Sequence, residues 1–256
     1  METSDFYGTE KVSRILLKIA PPVMLAQLIQ ALYNIVDSFF VGKYSETGLT
    51  ALSIIYPVQL LMIALGVGTG VGINTDMAYY LGIGKKKKAE EVAGTGTPLG
   101  LILWIIFAAV CYVTLPAYAG MSTDSPEVIR DVVAYGRIVC LFSIGLFTEG
   151  IWSKILQAEG DMRTPMIAQI AGAVVNIILD PLLIFGMLGM PEMGISGAAV
   201  ATVSGQIVAA LIVMKKAWYR SPRRSCYPGH IKRIYQLGIP NIIMQSAYTL
   251  YILGLN

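Results

Sequence analysis

Again and again along this chain a run of twenty or more residues passes with almost no charged side chain, and no other feature restricts its fold as strongly. About 20 apolar residues are what an α-helix needs to cross a hydrocarbon layer about 30 Å thick. The runs lie near 15–41, 50–80, 95–118, 131–156, 165–188 and 194–214; a further one begins near Leu237 and is still apolar at Asn256. Lipid offers no hydrogen-bond partners, so a spanning backbone must satisfy itself as helices or a closed barrel. Runs of this length predict an all-α, polytopic membrane protein. Composition agrees, with 55% hydrophobic and 14% charged residues among 256, against about 25% charged in soluble domains, and a mean hydropathy of +0.64.

The first fourteen residues carry Glu2, Asp5 and Glu10 beside Lys11 and Arg14, without the basic start and cleavage site of a secretory signal, so the first span is expected to be retained. Of the 19 Lys and Arg, Lys43, Arg130 and Arg137 fall on one side of the membrane and the remainder, including Lys85 to Lys88, on the other. Positive residues stay inside, which predicts a cytoplasmic N-terminus in the plasma membrane. The net charge of +3 then needs no nucleic-acid partner; the lysine run meets anionic lipid headgroups. Cys111, Cys140, Cys226 and the single histidine, His230, show no metal-ligand spacing, so neither a zinc site nor a disulfide framework is expected.

Against that apolar background a few polar residues stand out. Asn176 and Asp180 share a helix face one turn apart, and Pro181 leaves the carbonyl of Ile177 without its helical donor. An amide oxygen, a carboxylate and a freed carbonyl make a site for a cation or a proton, at an insertion cost of roughly 2.5–3.5 kcal/mol for the Asp. A polar pair that merely cross-links two helices is the alternative. In the first span, Gln30, Tyr33, Asn34 and Asp37 gather toward one broad face that should look into a bundle or a wet cavity, with an Asp37–Lys43 surface pair as the plainer reading. If the first and fifth spans meet, Asp37 and Asp180 form a carboxylate pair. Thr202 and Gln206, four residues apart on the sixth span, would add oxygens beside them, unless Thr202 bonds its own helix backbone.

The remaining polar and small residues read as packing or boundaries. Gly66 with Gly70 and Gly68 with Gly72 are small-xxx-small pairs for close helix approach, without the spacing of a dinucleotide fingerprint. The third span, bounded by Pro98 and Pro116, reads as lipid-facing scaffold. Asp76 is expected at the membrane boundary, and Glu149 either pairs with Lys154 or faces the cavity. Gly197, Ala198, Ala199, Ala201 and Gly205 form a small face expected to pack on the fifth span. A basic linker over 218–236 separates a six-span lobe, 1–217, from the start of another helix, 237–256. There Pro22-x4-Gln27-x5-Tyr33 returns as Pro240-x4-Gln245-x5-Tyr251, as in a parallel repeat; Leu255 stands where Asp37 would recur.

Pro22-x4-Gln27, Asp37-Ser38-Phe39-Phe40-Val41-Gly42, the 156–164 loop, Asn176-x3-Asp180-Pro181 and Gly197-Ala198-Ala199-x-Ala201-Thr202 together resemble the multidrug and toxic compound extrusion (MATE) transporters. The resemblance implies the six-helix N-terminal lobe of a twelve-helix transporter plus the start of helix seven, with the second lobe expected in cis. It implies export of small organic, chiefly cationic, compounds driven by Na⁺ or H⁺, with no enzymatic activity and no cofactor beyond the coupling ion. By the same resemblance Asp37, Asn176, Asp180 and Thr202 correspond to the cation or proton site, and Gln27, Tyr33 and Asn34 approach it or the cavity, with Gln206 adjacent. A lipid-linked-precursor flippase of the same superfamily is the main alternative; an intramembrane aspartyl protease would need Tyr-Asp and Gly-x-Gly-Asp, which Val36-Asp37 and Leu179-Asp180 do not supply.

Overall fold

The computed structural model describes residues 11–255. They form α1 (Val12–Tyr44), α2 (Glu46–Gly82), α3 (Lys86–Ser122), α4 (Pro126–Leu141), α5 (Ile144–Ala158), α6 (Arg163–Ile184), α7 (Ile195–Ala217) and α8 (Tyr227–Leu255), with short 3₁₀ turns at Met187–Gly189 and Arg224–Cys226. Within α1 the stretch Ile19–Tyr44, and α2, α3, α6 and α7 whole, are long and apolar enough to cross a membrane; α4 with α5 makes a sixth span, bent by 45°. The helices alternate in direction, so Lys85 to Lys88, the α5–α6 turn and Lys215–Lys216 gather at one basic end. Tyr44, the α3–α4 turn and Glu192 lie at the other.

The expected unbroken span over 131–156 is corrected to this bent pair. Ser143 donates its hydroxyl to the Cys140 carbonyl at 2.7 Å, and Gly145 lies against the α7 backbone, where a Cβ would come within 2.8 Å of the Gln206 carbonyl carbon. No proline signals the break; α5 turns so that it can lie flush on α7. Conversely, Pro98 and Pro116 do not bound the third span, because α3 runs through both. In a span each proline removes one backbone donor, while breaking the helix would strand several. α3 is only half scaffold: Ile102, Ile105 and Val113 are exposed, whereas Phe107, Cys111 and Leu115 enter the core.

Small residues set the helix spacing. Gly66 and Gly70 of α2 press on Phe147 and the Gly150 carbonyl of α5. Two residues on, Gly68 and Gly72 turn to α8, where a Cβ on Gly72 would strike the Ile234 carbonyl oxygen. The small face of α7 packs on α6, as expected from the short turn between them: a Cβ on Gly205 would come within 2.5 Å of the Gly172 carbonyl oxygen.

Two expectations at the basic end are revised together. α8 starts at Tyr227, about ten residues before the apolar stretch, so the second half of the 218–236 segment is helical. That extra length brings Arg233 beside Asp76. The Asp76 carboxylate, expected at the boundary, is fully enclosed, and Arg233 Nε lies 2.5 Å from its Oδ1. The guanidinium also sits over the rings of Tyr79 and Tyr80, 4.8 and 5.2 Å from their centroids.

Candidate functional site

α1 leans mainly on α6, and α6 on α7, so the polar residues of three helices converge. Asp180 and Asn176 are 0% and 2% exposed, Asp37 and Thr202 7% each. Asp37 lies within electrostatic reach of Asp180. At 1.5 Å per residue Asp37 stands about 10 Å from the Tyr44 end of α1, and Thr202 is about as far into α7 from the same end. Burial at that depth excludes the plainer reading of Asp37 as a surface partner of Lys43.

Asn176 is the donor of the group. Its Nδ2 donates to Asp180 Oδ1 and to Thr202 Oγ1, both at a long 3.4 Å. The Thr202 hydroxyl is thus turned to Asn176, on the neighbouring helix. Asp37 Oδ1, Asn176 Oδ1, Asp180 Oδ2 and, on the same face of α7 as Thr202, Gln206 Oε1 are enclosed without a hydrogen-bond partner. Buried oxygens are almost always satisfied, because each unmet acceptor costs about 1–3 kcal/mol. A cluster with acceptors in excess of donors is satisfied by a proton or a hard cation, and cross-linking alone would have balanced the two. Among Asp37, Asn176, Asp180 and Thr202, acceptors outnumber donors, a balance that a hard cation or a proton would meet.

The other sequence candidates are placed around this cluster. Tyr33 is half-buried one turn from Asp37 and within electrostatic reach of Asp37, Asp180 and Glu149; Gln27 and Asn34 are exposed on the same helix. Sequence reasoning missed Tyr135 of α4. Its ring is buried, its hydroxyl accepts from Gln59 Nε2 at 3.2 Å and is within hydrogen-bonding reach of Thr202. The signal was a tyrosine amid apolar residues in mid-span, which by itself is ordinary in a core. Glu149 accepts from Ser153 at Oε1 at 2.6 Å and lies within electrostatic reach of Lys154, whose Nζ donates to Gln157 Oε1 at 2.9 Å.

At the basic end, the α5–α6 turn is held by Asp161. Its carboxylate accepts the Thr164 N–H at 3.0 Å and the Thr164 hydroxyl at 2.6 Å, and Lys216 of α7 lies 3.0 Å away. Burial works to raise its pKa, but these Thr164 and Lys216 contacts outweigh it and hold the carboxyl below the usual range. Nearby, Tyr219 donates to Glu159, and burial with that bond pushes the phenol up.

The fold agrees with comparisons to known proteins. The chain is 28% identical over 249 residues to a probable multidrug resistance protein NorM of Thermotoga maritima, covering 93% of this chain and 53% of that protein. It is 28% identical over 201 residues to an FAD transporter of Shewanella oneidensis, covering 77% and 44%. Among solved structures, an outward-facing multidrug resistance MATE transporter of the MOP superfamily superposes with a TM-score of 0.82 at 26% identity, covering 90% of this chain and 52% of that one. A MATE in complex with MaD5 gives 0.85 at 25%, covering 93% and 55%. The chain spans about half the length of the relatives it matches. Residues 22–182, which hold Asp37, Asn176 and Asp180 and most of the spans, match the MatE family itself; this multi-pass membrane chain belongs to the multidrug and toxic compound extrusion family.

Proposed function

We propose that this chain is the ion-binding lobe of an exporter that moves small organic compounds out of the cell as Na⁺ or H⁺ moves inward. The second lobe acts in cis, and the basic end faces the cytoplasm of a plasma-membrane protein. The observation that carries the reading is the set of buried, unpartnered oxygens on Asp37 of α1, Asn176 and Asp180 of α6 and Gln206 of α7. Two carboxylates from distant parts of the chain repel each other when both are charged; a cation or proton between them relieves the repulsion and draws α1 onto α6. One charge crossing 100 mV supplies about 2.3 kcal/mol, enough to shift two close-lying states roughly fifty-fold. Asn176 donates to Asp180 and to Thr202, and Tyr135, which accepts from Gln59, lies within hydrogen-bonding reach of Thr202.

The test is efflux of a fluorescent organic cation from everted membrane vesicles carrying the full-length protein, with an imposed Na⁺ or H⁺ gradient. Asp37→Asn and Asp180→Asn are each expected to lower gradient-driven export at least tenfold while the protein still reaches the membrane. Export that survives both substitutions refutes the reading. The Shewanella relative favours a second reading of the cargo, an anionic nucleotide such as FAD. The same vesicles distinguish it by comparing FAD with the organic cation.

A further inference from the structure

We propose that Cys111 of α3 and Cys140 of α4 form a redox site in the membrane interior, oxidised to a disulfide by hydroperoxides dissolved in lipid and shielded from oxidants dissolved in water. This chemistry uses neither the Asp37–Asp180 cluster nor the cargo path, and so stands whether or not the export reading holds.

The two thiols are free and buried, and although they stand on different helices they lie within hydrogen-bonding reach of each other. Neighbouring contacts hold the two helices in this register. Trp104 of α3 donates its Nε1 to the Leu141 carbonyl at 2.9 Å, and the Ser143 hydroxyl donates to the carbonyl of Cys140 itself at 2.7 Å. At 1.5 Å per residue Cys111 stands about 17 Å from the Ser122 end of α3, and Cys140 about 21 Å from the Pro126 end of α4. Both sulfurs therefore sit near mid-depth in a hydrocarbon layer about 30 Å thick.

Cys111 also belongs to the wall of a groove of about 420 Å³ between α2 and α3, within the range of about 300–1,000 Å³ that small molecules occupy. Leu61, Ile106 and Val110 of that wall are exposed, so the groove opens on apolar surface at mid-span, where the solvent is lipid. Thr114, one turn from Cys111 on the same wall, donates its hydroxyl to the Val110 carbonyl at 2.9 Å and keeps its lone pairs for a hydroperoxide O–H. Buried thiols are inert to water-borne oxidants, but a hydroperoxide on an apolar group concentrates in lipid and enters the groove from there. The Cys111 sulfur attacks the terminal peroxide oxygen: an S–O bond forms, the O–O bond breaks, and the thiol proton passes to the departing alkoxide, giving an alcohol. The Cys140 sulfur then attacks the Cys111 sulfenic acid: the S–S bond forms, the S–O bond breaks, and hydroxyl leaves with the Cys140 proton as water. Two thiols have given two electrons to one hydroperoxide, and α3 is tied to α4 just before the bend into α5.

The test exposes the purified full-length protein in liposomes to cumene hydroperoxide, which partitions into lipid, or to hydrogen peroxide at equal concentration, and reads the disulfide by mass spectrometry of unreduced peptides. Cumene hydroperoxide is expected to form the Cys111–Cys140 disulfide at least about tenfold faster than hydrogen peroxide. Cys226, half-buried in the short turn before α8, should show no such preference. Cys140→Ser is expected to leave Cys111 as a sulfenic acid that dimedone captures, and Val110→Trp, which fills the groove, should slow disulfide formation at least about threefold. No disulfide under cumene hydroperoxide, or equal rates with the two oxidants, overturns the site. A Val110→Trp protein oxidised as fast as the unaltered one overturns the groove as the route.

Discussion

Replacing Arg233 by Gln strands the Asp76 carboxylate. That carboxylate is 0% exposed, and its cationic partner lies 2.5 Å away. Breaking a buried ion pair from one side typically costs about 3–5 kcal/mol, because an uncompensated charge remains. The Arg233 side chain is 41% exposed, so water reaches the pair from its side and the lower part of that range applies. Loss of the guanidinium from over Tyr79 and Tyr80 adds about 0.5–1 kcal/mol. A total of about 3.5–4 kcal/mol corresponds to a fall in melting temperature of roughly 7–16 °C at this chain length. The molecule carries its own reporters: Cys111 and Cys140 are buried free thiols, and Cys226, half-buried, sets the baseline. Melting can be followed with a thiol-reactive dye in detergent. The double variant Asp76→Asn with Arg233→Gln removes the charge along with its partner and should recover at least half of the loss. An Arg233→Gln protein that melts with the wild type, or a double variant no better than the single one, would refute the claim that the enclosed charge is what Arg233 compensates.

Two further outcomes follow from the packing and the turn. Gly205→Ala pushes a methyl against the Gly172 carbonyl and the Asn176 Cβ; overpacking of this kind costs about 1–3 kcal/mol, and gradient-driven export should fall with the melting temperature as Asn176 is levered from Thr202. Asp161→Ala removes the cap on the α6 N-terminus and should cost about 0.5–2 kcal/mol. Because the Asp161 pKa is lowered in the folded protein, its stabilisation is present above the ordinary carboxylate pKa of about 3.9 and is lost as pH falls through the lower folded value. Melting curves between pH 7 and pH 3 should therefore show a smaller acid-side decline for Asp161→Asn than for the wild type; an unchanged decline removes Asp161 from the account.

Local periodicity and composition alone determined the spans, the shared face of Asn176 and Asp180, the small face of α7 that meets α6, and the pairing of Gly66 with Gly70 and Gly68 with Gly72. These are legible because helical spacing dictates which residues share a side, and lipid forces the backbone to be helical whatever its neighbours are. Contacts between residues far apart in sequence were decided by the tertiary structure. The approach of α1 to α6 that brings Asp37 near Asp180 was one conditional possibility among several, and Tyr135 looked like any core aromatic until α4 set its hydroxyl against Gln59 and Thr202. Asp76 looked interfacial because the helical reach of α8 back to Tyr227 leaves no mark on an apolar profile. The bend at Phe142–Ser143 arises from α5 seeking the surface of α7, with no breaker residue to announce it. A single polar side chain has no period of its own, so its partner is chosen only when helices from elsewhere in the chain settle beside it.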